Sequence, residues 1–152
     1  MPEEPFQVVG RGTFCGFGER PEAAAGEPSG GWGRSQDRER NQMIEQAGIN
    51  TTIAHLEAQG WTLSADRQRD GVGYDLEFTG PGGLKKVEVK GISGADVAFN
   101  LTAKEYEMSR TDGEWLLVAV TDALGNPKVH EIAPAALHKM AIDATQYRVR
   151  TR

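Results

Sequence analysis

The stretch that decides the fold is GYDLEFTGPGGLKKVEVKG, residues 73–91. At its centre, residues 80–83 read Gly-Pro-Gly-Gly, which is the strongest turn signal in the chain. Apolar and charged residues alternate on both sides of this turn, a period of two that is typical of half-buried strands. The sequence therefore predicts a β-hairpin with one apolar face and one charged face.

The position of the turn predicts which residues pair across the hairpin. If the turn closes on residues 80–83, the predicted pairs are Thr79 with Leu84, Glu77 with Lys86, Leu76 with Val87, Asp75 with Glu88 and Tyr74 with Val89. In this register Tyr74, Leu76 and Phe78 share the apolar face of the hairpin.

The charged face brings Asp75, Glu88 and Lys90 to one place. Two carboxylates directly opposite each other repel, yet their Cβ atoms would lie about 5 Å apart, close enough to share one cation. Lys90 follows two residues after Glu88 on the same face. This arrangement indicates a site for metal-assisted phosphodiester cleavage. The alternatives are a solvated charged surface, which suits Glu77 opposite Lys86, and a structural charge network.

Composition restricts the class of protein. The 152 residues suffice for one domain with a modest core, and no apolar run approaches the length of a membrane span. The acidic start lacks the pattern of a signal peptide, and Cys15 is the single cysteine, so we expect a cytoplasmic protein without disulfides or a cysteine zinc site. The net charge of −5 counts against strong nucleic-acid binding by this domain alone.

Residues 1–36 contain eight glycines and four prolines and are predicted to be a flexible segment. A folded domain is expected over residues 37–152. It opens with a helix over residues 37–59, with Ser35 or Asp37 as the N-cap and Gly60 as the stop. Glu45 falls on the apolar stripe of this helix, where a carboxylate is costly unless it is paired or reaches a metal; the alternative is escape to solvent.

The remaining elements alternate between strands and helices. Outside the hairpin, strands are predicted at 61–66, 97–101, 115–121 and 128–132, and helices at 102–110 and 135–142. Thr102 and Glu105 have the spacing of a capping box, and we prefer that structural role for them over catalysis. The order predicts an α/β fold with a mixed β-sheet flanked by helices.

A family resemblance adds to this interpretation. Asp75 followed, after twelve residues, by Glu88-Val89-Lys90 resembles the PD-(D/E)xK pattern of the restriction-endonuclease-like superfamily. The ordered set GWTL, GYDLEF, VEVKG and LTAKEYE, over roughly residues 39–132, is similar to the C-terminal domain of the plant protein NO VEIN, a domain of unknown function.

The resemblance implies a restriction-endonuclease-like fold with a nuclease site on the hairpin. Asp75, Glu88 and the carbonyl of Val89 would hold Mg²⁺ or Mn²⁺, and Glu45 would complete the coordination shell. Lys90 would orient or deprotonate the attacking water, or act only by electrostatic stabilisation. The substrate would be nucleic acid, with DNA favoured, and specificity would come from a fused or associated helicase, ATPase or restriction-like module. The alternative function is a non-catalytic module of the same fold that binds nucleic acid or a partner protein.

Overall fold

The computed structural model describes residues 32–143. Its elements, in chain order, are α1 (Trp32–Ala58), β1 (Thr62–Asp66), β2 (Leu76–Gly80), β3 (Gly83–Gly91), α2 (Ala103–Thr111), β4 (Trp115–Thr121), β5 (Lys128–Ile132) and α3 (Pro134–Leu137). The predicted α/β class is confirmed.

The five strands form one sheet in the order of the sequence, from β1 to β5. All neighbours are antiparallel except β3 and β4, which run parallel. The chain between β3 and β4 crosses over the sheet and carries α2, as a parallel connection requires. The predicted hairpin register is confirmed from Leu76, opposite Val87, to Gly80, opposite Gly83.

The sheet separates two hydrophobic clusters, and β4 contributes to both. Val118 and Val120 pack in the cluster that contains Ile44, Ile49 and Leu56 of α1. Leu117 and Ala119 pack in the other cluster with Trp115, Ile132 and Leu137. Because alternate residues of β4 meet different clusters, the strand is buried on both faces, as its continuous apolar run predicts.

Tyr74 does not lie on the predicted face of the hairpin. It packs against the cluster of Trp115, whereas Leu76 and Phe78 belong to the cluster on the α1 side. Its hydroxyl donates to Glu77 Oε1 at 2.6 Å. The alternation fails because regular pairing between β2 and β3 starts only at Leu76, and the chain before it bends at Gly73, whose φ is +94°.

Helix α1 extends beyond the predicted amino-terminal boundary. It already includes residues 32–36, so neither Ser35 nor Asp37 is its N-cap. Residues 33–43 are exposed all round, so no apolar stripe reveals this part of the helix, and Ile44 is the first buried residue among residues 33–58. The stop at Gly60 is confirmed by φ of +89° and a Trp61 N–H that donates to the carbonyl of Leu56. Residues 1–31 of the predicted flexible segment lie outside the described residues.

Two predicted elements differ from the structure. No strand forms at 97–101, because this segment crosses the sheet face and packs Val97, Phe99 and Leu101 against the second cluster instead of pairing at an edge. Helix α3 ends at Leu137, its only buried residue, because the residues that follow are exposed and provide no packing to extend it. Residues 144–152 of the predicted folded domain lie outside the described residues. Within residues 32–143, no helix has the length and apolarity needed to cross a membrane.

Candidate functional site

An open cavity of about 760 Å³ lies where α1, the start of β2 and the end of β3 meet. Its lining includes Glu45, Asp75, Glu88, Val89 and Lys90. The structure therefore brings to one cavity all five residues that the sequence selects for the site.

Asp75 reaches the site in a different way from the one expected. The β2–β3 ladder ends at Leu76, and the backbone N–H of Asp75 donates to the carbonyl of Val87 at 2.9 Å. The direct cross-strand pair of Asp75 with Glu88 is therefore absent from the ladder. Instead, Asp75 Oδ2 accepts the backbone N–H of Val89 at 2.9 Å. The carboxylate thus lies beside the segment that carries the other site residues.

The backbone N–H of Val89 points past the end of the β2–β3 ladder, where the side chain of Asp75 accepts it. In an antiparallel pair the N–H and C=O groups of one residue point to the same side, and residues two apart point alike. The carbonyl of Val87 points towards β2, so the carbonyl of Val89 points to the same side, past the end of the β2 ladder. This direction is consistent with the predicted use of the Val89 carbonyl as a metal ligand.

Glu88 is a buried carboxylate in an unfavourable environment for negative charge. It is only 4% exposed. Burial, followed by the nearby negative charge of Asp75, raises the pKa of Glu88 to about 7, although Lys90 acts in the opposite direction. Burial also raises the pKa of Asp75, despite the Val89 N–H and Lys90, which stabilise its charge. Burial therefore disfavours the charged forms of both carboxylates more than their neighbours stabilise them.

Lys90 lies between two carboxylates. Its Nζ is 2.8 Å from Glu88 Oε1 and 2.7 Å from Glu105 Oε2. Burial alone would lower the pKa of Lys90, but Glu88 and Glu105 outweigh it and raise the pKa above its usual value. The ion pair between Lys90 and Glu88 thus favours the charged forms of both residues. For Lys90 this raises the pKa, whereas for Glu88 the effect of Lys90 is smaller than the opposing effects of burial and Asp75. The ammonium form favours electrostatic stabilisation over a role as general base.

Glu45 is exposed and lines the cavity from α1. Its helix approaches the end of β3 closely, because a Cβ added to Gly48 would lie 3.0 Å from the Cα of Gly91. Glu45 does not join the two hairpin carboxylates in a metal-binding cluster: within residues 32–143, no group of three or more His, Cys, Asp or Glu side chains is arranged to hold a metal ion. Solvent exposure of Glu45, the alternative that the sequence left open, is observed.

The donor set fits a hard divalent cation in part. Asp75 and Glu88 are oxygen donors whose charged forms are disfavoured by burial, which raises both pKa values, and a bound cation would favour those charged forms. Mg²⁺ is commonly held by one or two protein carboxylates, with water completing its shell. The two carboxylates, with the Val89 carbonyl, are therefore the residues that would hold the ion.

Glu105 contacts the site in a way that its sequence pattern does not predict. The capping box predicted for Thr102 and Glu105 is confirmed: Thr102 Oγ1 accepts the N–H of Glu105, and Glu105 Oε2 accepts the N–H of Thr102. The same Oε2 also binds Lys90. The Thr-x-x-Glu spacing predicts only the capping box, and nothing in the sequence predicts the contact of Glu105 with Lys90.

The comparisons with known proteins agree with the resemblance of the sequence to a family. The family model described as Protein NO VEIN, C-terminal, matches residues 44–132, a range that contains all the site residues discussed above. No curated protein and no solved structure matches the chain. Because the family model covers more than half of the 152 residues, the chain belongs to the family of the C-terminal domain of protein NO VEIN.

Proposed function

We propose that this domain is a divalent-metal-dependent nuclease that hydrolyses phosphodiester bonds in nucleic acid, with the PD-(D/E)xK arrangement of site residues. The observation that carries the proposal is the convergence of Asp75, Glu88 and Lys90 on one open cavity. A defence, restriction or DNA-processing context is the setting we propose for this activity.

A bound Mg²⁺ or Mn²⁺ would supply a water of lowered pKa and would offset the charge that grows on the phosphate. Asp75 and Glu88 are the carboxylates proposed to hold it, together with the Val89 carbonyl. Glu45, which is exposed on the cavity wall, would contact the ion through water.

Lys90 is the residue proposed to act on the substrate. Its ammonium is kept charged by two carboxylates at the edge of the cavity, where it would stabilise the negative charge of the reacting phosphate. Asp75 has a second function, because its hydrogen bond to Val89 N–H fixes the backbone that carries both Glu88 and Lys90.

Substrate affinity is proposed to come largely from another module. The net charge of −5 provides little general attraction to phosphates. A fused or associated helicase or ATPase would deliver the strand, with DNA the nucleic acid to test first, and a cytoplasmic location would suit these partners.

A non-catalytic binding module is the second candidate. It is favoured by the ion pairs of Lys90 with Glu88 and Glu105, which already satisfy the lysine. In that case the domain would hold nucleic acid or a partner protein without hydrolysis. A structural charge network of Asp75, Glu88 and Lys90, the third alternative, would respond to mutation only through stability.

Plasmid nicking with Mg²⁺ or Mn²⁺ separates the two candidates. Lys90→Met should abolish nicking while the protein stays folded. Lys86→Met is the matched control: Lys86 lies on the same face of the same strand and is ion-paired to Asp112 and Glu114, but it does not line the cavity. Equal nicking by the wild-type protein and Lys90→Met, or no nicking by the wild-type protein under any metal condition, would reject the nuclease.

A further inference from the structure

The contact between Lys90 and Glu105 joins the end of β3 to the start of α2. Lys90 Nζ lies 2.7 Å from Glu105 Oε2, and the side chains are only 18% and 13% exposed. The two residues are separated by a connection without regular secondary structure at 92–102. This ion pair therefore links Lys90 of the candidate site to helix α2, which lies outside the hairpin.

Glu105 contacts Lys90 without lining the cavity itself. Lys90 lines the cavity together with Asp75 and Glu88, whereas Glu105 does not. A substrate in the cavity would meet the ammonium of Lys90 and not the carboxylate of Glu105. Because Glu105 does not line the cavity, we expect it to act on a substrate through Lys90, while its charge also adds to the negative charge near Glu88.

Glu88 and Lys90 place conflicting demands on each other. Glu88 is one of the two carboxylates proposed to hold the cation, but its Oε1 lies 2.8 Å from the ammonium of Lys90. With Glu88 as its only partner, Lys90 would compete with a divalent cation for that oxygen. A second carboxylate gives the ammonium a position that it can keep when Glu88 binds a cation, and it avoids the cost of a buried, unpaired charge.

We infer that Glu105 is a positioning residue that holds the Lys90 ammonium at the cavity so that Lys90 and a divalent cation can occupy the site together. This inference rests on the proposed nuclease function. It gives Glu105 Oε2 two tasks, because the same oxygen accepts the N–H of Thr102 at 3.1 Å and closes the capping box of α2.

Two variants separate the positioning task from the capping task. Glu105→Gln keeps an acceptor for the Thr102 N–H, since glutamine also closes a capping box, but it removes the charge that holds Lys90. Thr102→Ala removes the acceptor for the Glu105 N–H and leaves the carboxylate beside Lys90. If Glu105 positions Lys90, Glu105→Gln should impair the site more than Thr102→Ala does. If Glu105 acts only as a helix cap, Thr102→Ala should be at least as harmful as Glu105→Gln.

The first readout is the Tm of the metal-free protein, measured in a double-mutant cycle of Glu105→Gln and Lys90→Met. If Glu105 holds Lys90, the Tm loss of the Glu105→Gln/Lys90→Met double variant falls clearly short of the sum of the two single losses. Thr102→Ala combined with Lys90→Met should be additive. Additive losses for Glu105 and Lys90 would overturn the inference, whether or not the protein is a nuclease.

The second readout is cleavage of plasmid DNA with Mn²⁺. Glu105→Gln should lower kcat on the order of 10-fold with little change in KM, as expected for loss of a residue that orients a functional group. Thr102→Ala should cleave at about the wild-type rate once both proteins are folded at the assay temperature. Equal kcat for Glu105→Gln and the wild-type protein would reject the positioning role of Glu105 but not the proposed nuclease function. A wild-type protein that cleaves nothing would reject the proposed function, and the catalytic part of this inference with it, while the unfolding cycle would still report the ion pair.

Discussion

Asp75 Oδ2 accepts the backbone N–H of Val89 at 2.9 Å, just past the point where β2 stops pairing with β3. The side chain therefore takes the place of the backbone partner that the ladder no longer provides. A carboxylate held in this way contributes to the fold and to the candidate site at once, so variants of Asp75 must separate the two effects.

Asp75→Ala should destabilise the protein by about 1–3 kcal/mol, because it leaves the N–H of Val89 without its acceptor. Asp75→Asn should cost less, since its amide oxygen can still accept that N–H while the charge is lost. Chemical denaturation of the metal-free proteins measures both costs. Equal stability of Asp75→Ala and Asp75→Asn would contradict the structural role of the hydrogen bond.

The stability contribution of Glu88 should depend on pH. Burial and Asp75 raise the pKa of Glu88 from 4.5 to about 7, so the folded state favours the protonated form more than the unfolded state does. The contribution is therefore fully present below pH 4.5 and is lost as pH rises to about 7. In EDTA, the free energy of unfolding of the wild-type protein should fall relative to that of Glu88→Gln across this window.

Several charged groups act on Glu88, and the experiment must allow for them. Asp75 and Glu105 add negative charge near Glu88, and Lys90 adds positive charge. Asp75→Asn removes one of the repelling charges, so it should shift the pH window of Glu88 downwards. A wild-type to Glu88→Gln difference that stays constant from pH 4.5 to pH 8 would contradict the raised pKa.

Gly91 allows α1 to lie directly against the end of β3. A Cβ at this position would collide with the backbone carbonyl of Ile44, one residue before Glu45. Gly91→Ala should therefore cost about 1–3 kcal/mol and displace the helix that forms one wall of the cavity. Gly94→Ala is the control, since a Cβ there meets nothing within 4 Å. Similar unfolding midpoints for the two variants would show that the close approach is unimportant.

The hairpin was predictable because local rules agreed with one another. The Gly-Pro-Gly-Gly turn specified the register from Leu76 to Val87, and the apolar run at β4 specified a strand buried on both faces. The capping box at Thr102 was also readable from four residues. In each case the signal lies within a few residues of the feature that it specifies.

The details of the site were not predictable, because they depend on contacts between distant elements. Tyr74 lies on the other face because the ladder begins at Leu76, which a period-2 pattern cannot show. Glu105 meets Lys90 only after the irregular connection has crossed the sheet. Residues 33–43 of α1 are exposed and form no apolar stripe, so the pattern indicates no helix before residue 37.

The proposed nuclease function requires that Asp75 and Glu88 share one divalent cation. Calorimetric titration with Mn²⁺ of the wild-type protein, Asp75→Asn and the control Lys86→Met measures this binding. We predict one site of sub-millimolar affinity in the wild-type protein and in Lys86→Met, and no detectable binding to Asp75→Asn. Absence of binding to the wild-type protein, or unchanged binding to Asp75→Asn, would show that the two carboxylates do not share a cation.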